Sequence, residues 1–233
     1  MNINYKQSNI KFNKGTVALA SAGPGAKKLL TLNVKFLISS ADVIIYDALV
    51  NRSILNFAKN TTILIYAGKT KDGKSCTQNQ INSWLLKFSK EKKRVLRLKS
   101  GDISFFSRIS QEVNFLKNNK VKIQVFSGIT SSQASFEALE TNFLNKAKIC
   151  NFMTGHKAIK SHQKKIDYDF FKKNNGKIII YMGVSQIKEI VKNLINSGMV
   201  ETEKIAIVYK ASQKLQKITK TNLKNCHKVV IKK

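Results

Sequence analysis

The chain alternates between short β-rich runs and stretches whose apolar residues recur at helical spacing. Residues 16–22 are predicted to form a first strand, and Leu29, Leu32 and Phe36 follow at the spacing of one helix face. Further strands are predicted over residues 43–46, 62–67, 94–98 and 122–126, and helices over 28–39, from 53 onward, over 78–89 and over 111–117. This βαβα order indicates a mainly parallel sheet covered by helices.

Beyond residue 127 the spacers become shorter, which favours antiparallel hairpins in the second half. Helices are predicted over 131–139 and 186–195, strands over 149–153, 177–182, 205–209, 216–219 and 229–231, and a lysine-rich loop over 157–165. We therefore expect two α/β domains, 15–127 and 128–233, after a flexible basic tail over 1–14.

The charge is strongly positive, with 42 Lys and Arg against 13 Asp and Glu and a formal net charge of +29. Such a field attracts polyanions. Nucleic acid, an anionic membrane surface and a small polycarboxylate are all compatible with it. The abundance of Lys, Asn and Ile is equally compatible with compositional drift.

The three cysteines lie far apart with no CxxC, and the histidines lack ligand spacing. This pattern favours a reducing compartment and argues against a disulfide framework or a metal site. The N-terminus is polar, without the apolar segment of a signal peptide. No apolar run approaches the roughly 20 residues of a membrane span. A cytoplasmic protein without a membrane partner is expected.

Several short motifs follow predicted strands, at the edge where open α/β sheets bind ligands. The turn Ser21-Ala22-Gly23-Pro24-Gly25 has little side-chain bulk, so a ligand can approach its backbone. It has neither the GxGxxG spacing nor the Lys-Ser/Thr of a P-loop. The other candidates are Asp47, Gly68-Lys69, Lys99 to Asp102, and Tyr181-Met182-Gly183. Asp47 suits a general base, although either aspartate could also cap a helix.

In their order, these motifs resemble those of the class III tetrapyrrole methyltransferases, and within them the uroporphyrinogen-III C-methyltransferase family. The resemblance extends from about Thr16 to Ser212. It is carried by the first turn, by Asp42-Val43-Ile44-Ile45-Tyr46-Asp47, Ala67-Gly68-Lys69-Thr70, Arg97-Leu98-Lys99-Ser100-Gly101-Asp102, Ser127-Gly128-Ile129-Thr130-Ser131, Thr154-Gly155-His156 and Tyr181-Met182-Gly183.

The resemblance implies two α/β domains with S-adenosylmethionine (SAM) bound in the cleft between them, usually in a homodimer. It implies two methylations of uroporphyrinogen III, at C2 and C7, giving precorrin-2 for sirohaem or cobalamin. Asp47 and Lys69 match the proton acceptor and donor. The implied cofactor contacts are Pro24, Ser100, Gly101, Asp102, Phe105, Thr130, Ser131, Met182 and Ala211.

Several positions depart from the family pattern: Ala48 and Thr70 replace arginines, Ser100 a glycine and Ile103 a proline, and the Gly-Arg-Gly-Gly that follows becomes Ser107-Arg108-Ile109-Ser110. If position 100 needs a positive φ, serine costs roughly 1 kcal/mol there. Three alternatives remain. Another precorrin methyltransferase is disfavoured by Tyr46-Asp47, and the related RNA ribose methyltransferases by the lack of Glu-Asp-Thr-Arg. A basic nucleic-acid-binding relic of the fold is the third.

Overall fold

The computed structural model describes residues 10–68, 76–142, 147–155 and 166–230. The chain divides into two compact units, Met1–Ala134 and Ser135–Lys233. Both combine strands with helices, and the predicted α/β class with a parallel sheet is confirmed. Phe12 is buried in the first unit, so packing there begins ahead of Gly15.

The first unit contains a five-stranded parallel sheet in the order β3-β2-β4-β1-β5. Its strands are β1 (Thr16–Ser21), β2 (Val43–Tyr46), β3 (Ile63–Tyr66), β4 (Val95–Lys99) and β5 (Lys122–Phe126). Because all five strands run the same way, the turns after them emerge at one edge, called here the carboxyl edge.

Alternation along the strands divides the core of this unit into two layers. Ala18, Ala20, Ile44, Leu96 and Leu98 pack with α1 (Leu32–Ser40). Val17, Leu19, Val43, Ile45 and Val95 pack on the other face with α2 (Gln78–Lys90) and α3 (Ile109–Asn118). Successive side chains of a strand point to opposite faces, so the strands of a parallel sheet covered on both faces are mainly apolar.

Caps fix where α1 and α2 begin. The Thr31 hydroxyl accepts the Val34 amide at the start of α1. Thr77 and Gln80 form a capping box at the start of α2. The helix predicted over 28–39 is thereby divided into a 3₁₀ turn, Lys27–Leu29, and α1; the segment after residue 53 is a 3₁₀ helix, Arg52–Phe57.

The second unit has two two-stranded sheets. In one, β6 (Cys150–Thr154) pairs in parallel with β7 (Lys177–Tyr181). In the other, β8 (Lys204–Tyr209) and β9 (Lys217–Asn222) are antiparallel, which confirms the expected hairpin. The helices α5 (Tyr168–Asn174), α6 (Ile187–Asn196) and α7 (Cys226–Val230) belong to this unit, and α4 (Ser131–Ala138) spans the division.

The strand predicted over residues 229–231 is wrong within its described part. Val229 and Val230 lie in α7, which buries Cys226 beside α6. A short apolar run does not distinguish a strand from a helix by periodicity, and here tertiary packing decides. The loop predicted over 157–165 lies outside the described residues.

Candidate functional site

The turns after β1 and β4 are joined through their backbones at the carboxyl edge. The Gly23 amide donates to the Gly101 carbonyl at 3.1 Å, and the Gly101 amide donates back to Gly23 at 2.8 Å. The Ala22 amide adds a bond to the Lys99 carbonyl at 2.6 Å. Two of the predicted motifs are therefore brought together on neighbouring strands, as their positions predicted.

Glycine is required in this paired turn for its backbone conformation. Gly23 has φ +69° and Gly101 has φ +70°, a region that L side chains rarely occupy. A Cβ on Gly101 would meet no atom of the described residues within 4 Å, so among them this side of the turn is open. An open, side-chain-free backbone beside a carboxylate fits a nucleoside cofactor that must approach the main chain closely.

Pro24 is buried in the first turn, and a side chain from the β2 connection holds the turn in place. The Asn51 amide group donates to the Gly25 carbonyl at 2.8 Å. Asn51 also caps the 3₁₀ helix after β2 by accepting the Ser53 amide at 3.1 Å. The first turn is thus fixed by contacts on both sides.

Asp102 organises the loops of the carboxyl edge. Its Oδ1 accepts both the amide and the hydroxyl of Ser104, each at 2.8 Å, and its Oδ2 accepts the Gly128 amide at 3.3 Å. These bonds tie the turn after β4 to the turn after β5. The helix cap considered for this aspartate is not formed, because α3 has Arg108 at its N-cap position and no side-chain cap. Asp102 instead holds a local turn, and its contact with a cofactor stays a prediction.

Gly128 provides a close approach between the turn after β5 and β1. A Cβ at this position would lie 2.6 Å from the Ser21 Cβ, which leaves no room for a side chain. Thr130 is buried and its amide donates to the Gln133 side chain at 3.0 Å, while Ser131 begins α4. The predicted Thr130-Ser131 pair therefore lies on a helix start that follows this edge.

The departures at Ser100 and Ile103 fit the structure without strain. Ser100 does not have a positive φ; that requirement falls on the retained Gly101. Ile103 is buried among apolar side chains, and its amide donates to the Ser21 hydroxyl at 3.0 Å. A proline lacks this donor, so isoleucine adds a link between β1 and the turn after β4.

Asp47 follows β2 at the same edge and is held by two cations. Its Oδ1 accepts Arg97 Nη2 at 2.5 Å, and its Oδ2 lies 3.6 Å from Lys99 Nζ. The Asp47 amide donates to the Leu98 carbonyl at 3.1 Å. The Asp47 side chain is 30% exposed, whereas Arg97 is 1% exposed. The Asp47 carboxylate therefore extends from a buried ionic contact to solvent.

Below Asp47, a buried carboxylate holds the same two cations. Glu112 Oε1 accepts Lys99 Nζ at 3.1 Å, Arg97 Nε at 3.3 Å and Gln78 Nε2 at 3.3 Å. Sequence reasoning missed Arg97 and Glu112 as functional candidates, and it gave Lys99, the first residue of a candidate motif, no role of its own. The available signal was charge at alternate positions of a strand whose place in a parallel sheet calls for apolar residues.

Of two further residues predicted to belong to the site, Lys69 and Phe105, the structure describes only Phe105. Lys69, the proposed proton donor, lies outside the described residues, as does Thr70. Phe105 is half-buried in the turn after β4, with its ring 6.5 Å from that of Phe106. Phe105 is thus at the edge to which the sequence assigned it, and its contact with a cofactor remains a prediction.

In the second unit, the turns after β6 and β7 pack against each other. The Gly155 amide donates to the Tyr181 carbonyl at 2.7 Å, and a Cβ on Gly155 would lie 2.5 Å from the Gly183 Cα. Met182 has φ +53° and is 50% exposed. An exposed residue other than glycine in this conformation is strained, and such strain clusters at functional sites.

Ala211 lies in the β8–β9 connection, also in an unusual backbone segment. Its neighbours Lys210 and Ser212 have φ values of +49° and +65°, while Ala211 itself is buried. The Ser212 amide donates to the Gln216 side chain at 2.6 Å. The two second-unit residues predicted as cofactor contacts thus both lie in strained turns.

The cysteines show no sign of nucleophilic chemistry. All three are free, and burial is the main cause that raises the pKa of the Cys76, Cys150 and Cys226 thiols above the ordinary value. A raised pKa keeps the thiol protonated and inert. Among the residues that the structure describes, no three His, Cys, Asp or Glu side chains group as metal ligands.

No helix within the described ranges is both long and apolar enough to cross a membrane.

A family model described as tetrapyrrole (corrin/porphyrin) methylases matches residues 16–226. A uroporphyrinogen-III C-methyltransferase of Methanocaldococcus jannaschii is 35% identical over 212 residues, covering 90% of this chain and 87% of the relative. A siroheme synthase of Methylobacillus flagellatus is 35% identical over 211 residues, covering 90% of this chain and 45% of the relative. The chain thus spans about half the length of the siroheme synthases it matches.

Solved structures share the fold over most of both chains. A uroporphyrin-III C-methyl transferase from Thermus thermophilus, complexed with S-adenyl homocysteine, has a TM-score of 0.77 and 28% identity, covering 92% of this chain and 91% of its own. A cobalt precorrin-4 methyltransferase has a TM-score of 0.82 and 22% identity, covering 93% and 89%. The second likeness concerns the fold alone.

Proposed function

Because this chain belongs to the tetrapyrrole methylase family, we propose that it transfers methyl groups from SAM to uroporphyrinogen III. The two transfers are to C2 and C7, by way of precorrin-1 to precorrin-2, for sirohaem or cobalamin synthesis. The observation that carries the proposal is the open, paired turn at Gly23 and Gly101 beside the half-buried Asp47. The names of relatives at 35% identity support the same reaction.

We propose that SAM binds along the carboxyl edge of the first unit. The backbone of Gly101 offers an approach free of side chains, and the bonds of Asp102 to Ser104 and Gly128 keep the surrounding loops in place. When bound, SAM supplies an activated methyl group on a sulfonium. The residues proposed to hold it are Pro24, Ser100, Gly101, Asp102, Phe105, Thr130, Ser131, Met182 and Ala211.

The chain's own contribution to the reaction is alignment and proton transfer. Positioning two reactants contributes on the order of 7–11 kcal/mol. We propose that Asp47 accepts a proton from the methylated ring and that Lys69 donates one. Such acid–base assistance is typically worth about 10²–10⁴-fold. The substrate carries eight carboxylates, which suits the strongly basic chain.

We further propose a cytoplasmic homodimer without a specific nucleic-acid partner. Sedimentation equilibrium on the purified chain gives the subunit number directly, and a monomer mass at assay concentration would contradict the dimer. Salt titration of RNA binding provides a second check. A steep fall in affinity with salt reflects charge attraction alone, whereas sequence-specific binding without SAM affinity would favour the nucleic-acid-binding alternative.

The experiment that tests the function combines a binding and a turnover measurement. Purified protein is titrated with S-adenosylhomocysteine by calorimetry and then incubated anaerobically with SAM and uroporphyrinogen III. Mass spectrometry is expected to show a product with two added methyl groups. Folded protein that binds the cofactor but leaves this substrate unmethylated would contradict the proposed substrate. Folded protein that does not bind S-adenosylhomocysteine and forms no methylated product would contradict methyl transfer altogether.

A further inference from the structure

Strand β4 places two cationic side chains where the sheet is otherwise apolar. Arg97 and Lys99 alternate with Leu96 and Leu98, so they share the face that Val95 presents to α2 and α3. Arg97 is fully buried and the Lys99 side chain is 10% exposed. Burying charge is costly unless the charge is paired, so partners are required inside the layer.

Glu112, on α3, is the inner partner of both cations. Its Oε1 carries all three hydrogen bonds, from Gln78, Arg97 and Lys99. Its Oε2 is buried and has no hydrogen-bond partner within the part of the chain that the structure describes. Most buried polar atoms in folded proteins are hydrogen-bonded, so this oxygen calls for an explanation.

The outer partner of both cations is Asp47. Arg97 uses Nε for Glu112 and Nη2 for Asp47, and it donates Nη1 to the Ile45 carbonyl at 3.3 Å. Lys99 lies between the two carboxylates, 3.1 Å from Glu112 and 3.6 Å from Asp47. Each oxygen of Asp47 thus faces a different cation, and these two contacts fix the rotation of the carboxylate group.

We propose that Lys99 and Glu112 are positioning residues for methyl transfer: with Arg97, they fix the orientation of the Asp47 carboxylate for proton transfer. The proposal rests on the proposed role of Asp47 as proton acceptor. Glu112 acts through the cations and not on the substrate, since it is fully buried. The four side chains carry two positive and two negative charges, so the cluster is balanced as a unit.

The test compares Lys99→Met, Glu112→Gln, the double variant and Lys99→Arg. Lys99→Met is expected to lower kcat by about 10²-fold, the scale associated with misplacing a reacting group, with the Kd for S-adenosylhomocysteine unchanged. Lys99→Arg keeps a cation and is expected to recover part of kcat. The double variant restores charge balance, so its thermal midpoint should exceed that of either single variant while kcat stays low.

A spectroscopic measurement tests the contact independently of turnover. With ¹³C-labelled aspartate, the Asp47 carboxylate band is assigned by its loss in Asp47→Asn. Lys99→Met is expected to shift that band. Failure of the wild type to methylate would contradict the proposed function, while a shifted band would still support the positioning contact. An unshifted band, or a Lys99→Met kcat close to that of an active wild type, would overturn the positioning role.

Discussion

Strands β2 and β4 are joined by an ionic contact at each end, and the two contacts are built differently. At the amino end, Arg94 donates Nε to Asp42 Oδ2 at 3.1 Å and Nη2 to Oδ1 at 2.7 Å, and its amide adds a bond to Oδ2 at 2.8 Å. Both carboxylate oxygens of Asp42 therefore accept hydrogen bonds from Arg94. Hydrogen bonding by Arg94 lowers the pKa of Asp42 to about 2.

At the carboxyl end, Asp47 receives two cations that are themselves tied to a buried glutamate. The amino-end pair immediately precedes the same two strands, and no buried lysine or glutamate lies beside it within the part of the chain that the structure describes. The additional Lys99 and Glu112 at the carboxyl end are the residues to which we assign the positioning role. The comparison separates a contact that holds the sheet together from a cluster that presents a carboxylate at the open edge.

The largest expected effect is a difference in kcat between variants of Asp47 and Asp42. Asp47→Asn removes the proposed proton acceptor and should lower kcat by about 10²–10⁴-fold. Asp42→Asn is the matched control at the other end of β2, and its kcat should stay near that of the wild type. Steady-state assays at saturating SAM provide the measurement. Equal losses of kcat in the two folded variants would contradict the distinction.

The two arginines should differ in their effect on stability. Arg97→Met leaves Glu112 buried beside a single cation, and breaking a buried ion pair costs about 3–5 kcal/mol. Arg94→Met breaks a pair whose side chains are 28% and 26% exposed, for which about 1 kcal/mol is expected. Urea unfolding at pH 7 compares the two free energies. A larger loss of unfolding free energy in Arg94→Met than in Arg97→Met would contradict the assignment of the costlier ion pair to the carboxyl end.

Two glycines with the same backbone requirement provide a matched pair across the sheet. Gly15 precedes β1 with φ +78°, and Gly101 follows β4 with φ +70°; a Cβ fits spatially at either position. Each change to alanine should cost roughly 1 kcal/mol of stability. Only Gly101→Ala should also weaken S-adenosylhomocysteine binding, by about tenfold, or 1.4 kcal/mol. Calorimetric titration measures the affinity of each variant for S-adenosylhomocysteine. An unchanged affinity in Gly101→Ala would show that this turn is not part of the cofactor site.

The smallest effect is the pH dependence of the amino-end pair. Because the pKa of Asp42 is lowered from 3.8 to about 2 on folding, its contribution is complete above about pH 4 and is lost as the pH falls toward 2. After allowance for partial exposure, at most about 1 kcal/mol is expected. The stability gap between wild type and Asp42→Asn should therefore narrow below pH 4. A gap that widens on acidification would show that the assigned direction is wrong.

The elements of the first unit followed from periodicity because each strand is a short segment rich in apolar residues and bounded by turns. The sheet order could not be predicted, since β1 pairs with β4 and β5 only through crossovers that local patterns do not encode. In the second unit the Val229-Val230 run was misassigned because burial of Cys226 against α6 favours a helix.

The glycine turns of the candidate site could be predicted from the sequence, whereas its buried charged side chains could not. Glycines and an aspartate after strands indicated the carboxyl edge, and the Gly23–Gly101 pairing confirms that two of the motifs meet there. Lys99 belonged to a candidate motif, but neither it nor Arg97 had an assigned role before β4 was seen to bury both side chains. Glu112 lies on α3, and only the fold brings it to those cations.

The most direct test of the central claim is a crystal structure of this chain with S-adenosylhomocysteine bound. Ligand density against the Gly101 backbone, at the carboxyl ends of β1 and β4, is the predicted result. Well-ordered ligand elsewhere on the molecule, with the turns at Gly23 and Gly101 making no contact to it, would contradict the claim that this edge is the methyl-transfer site.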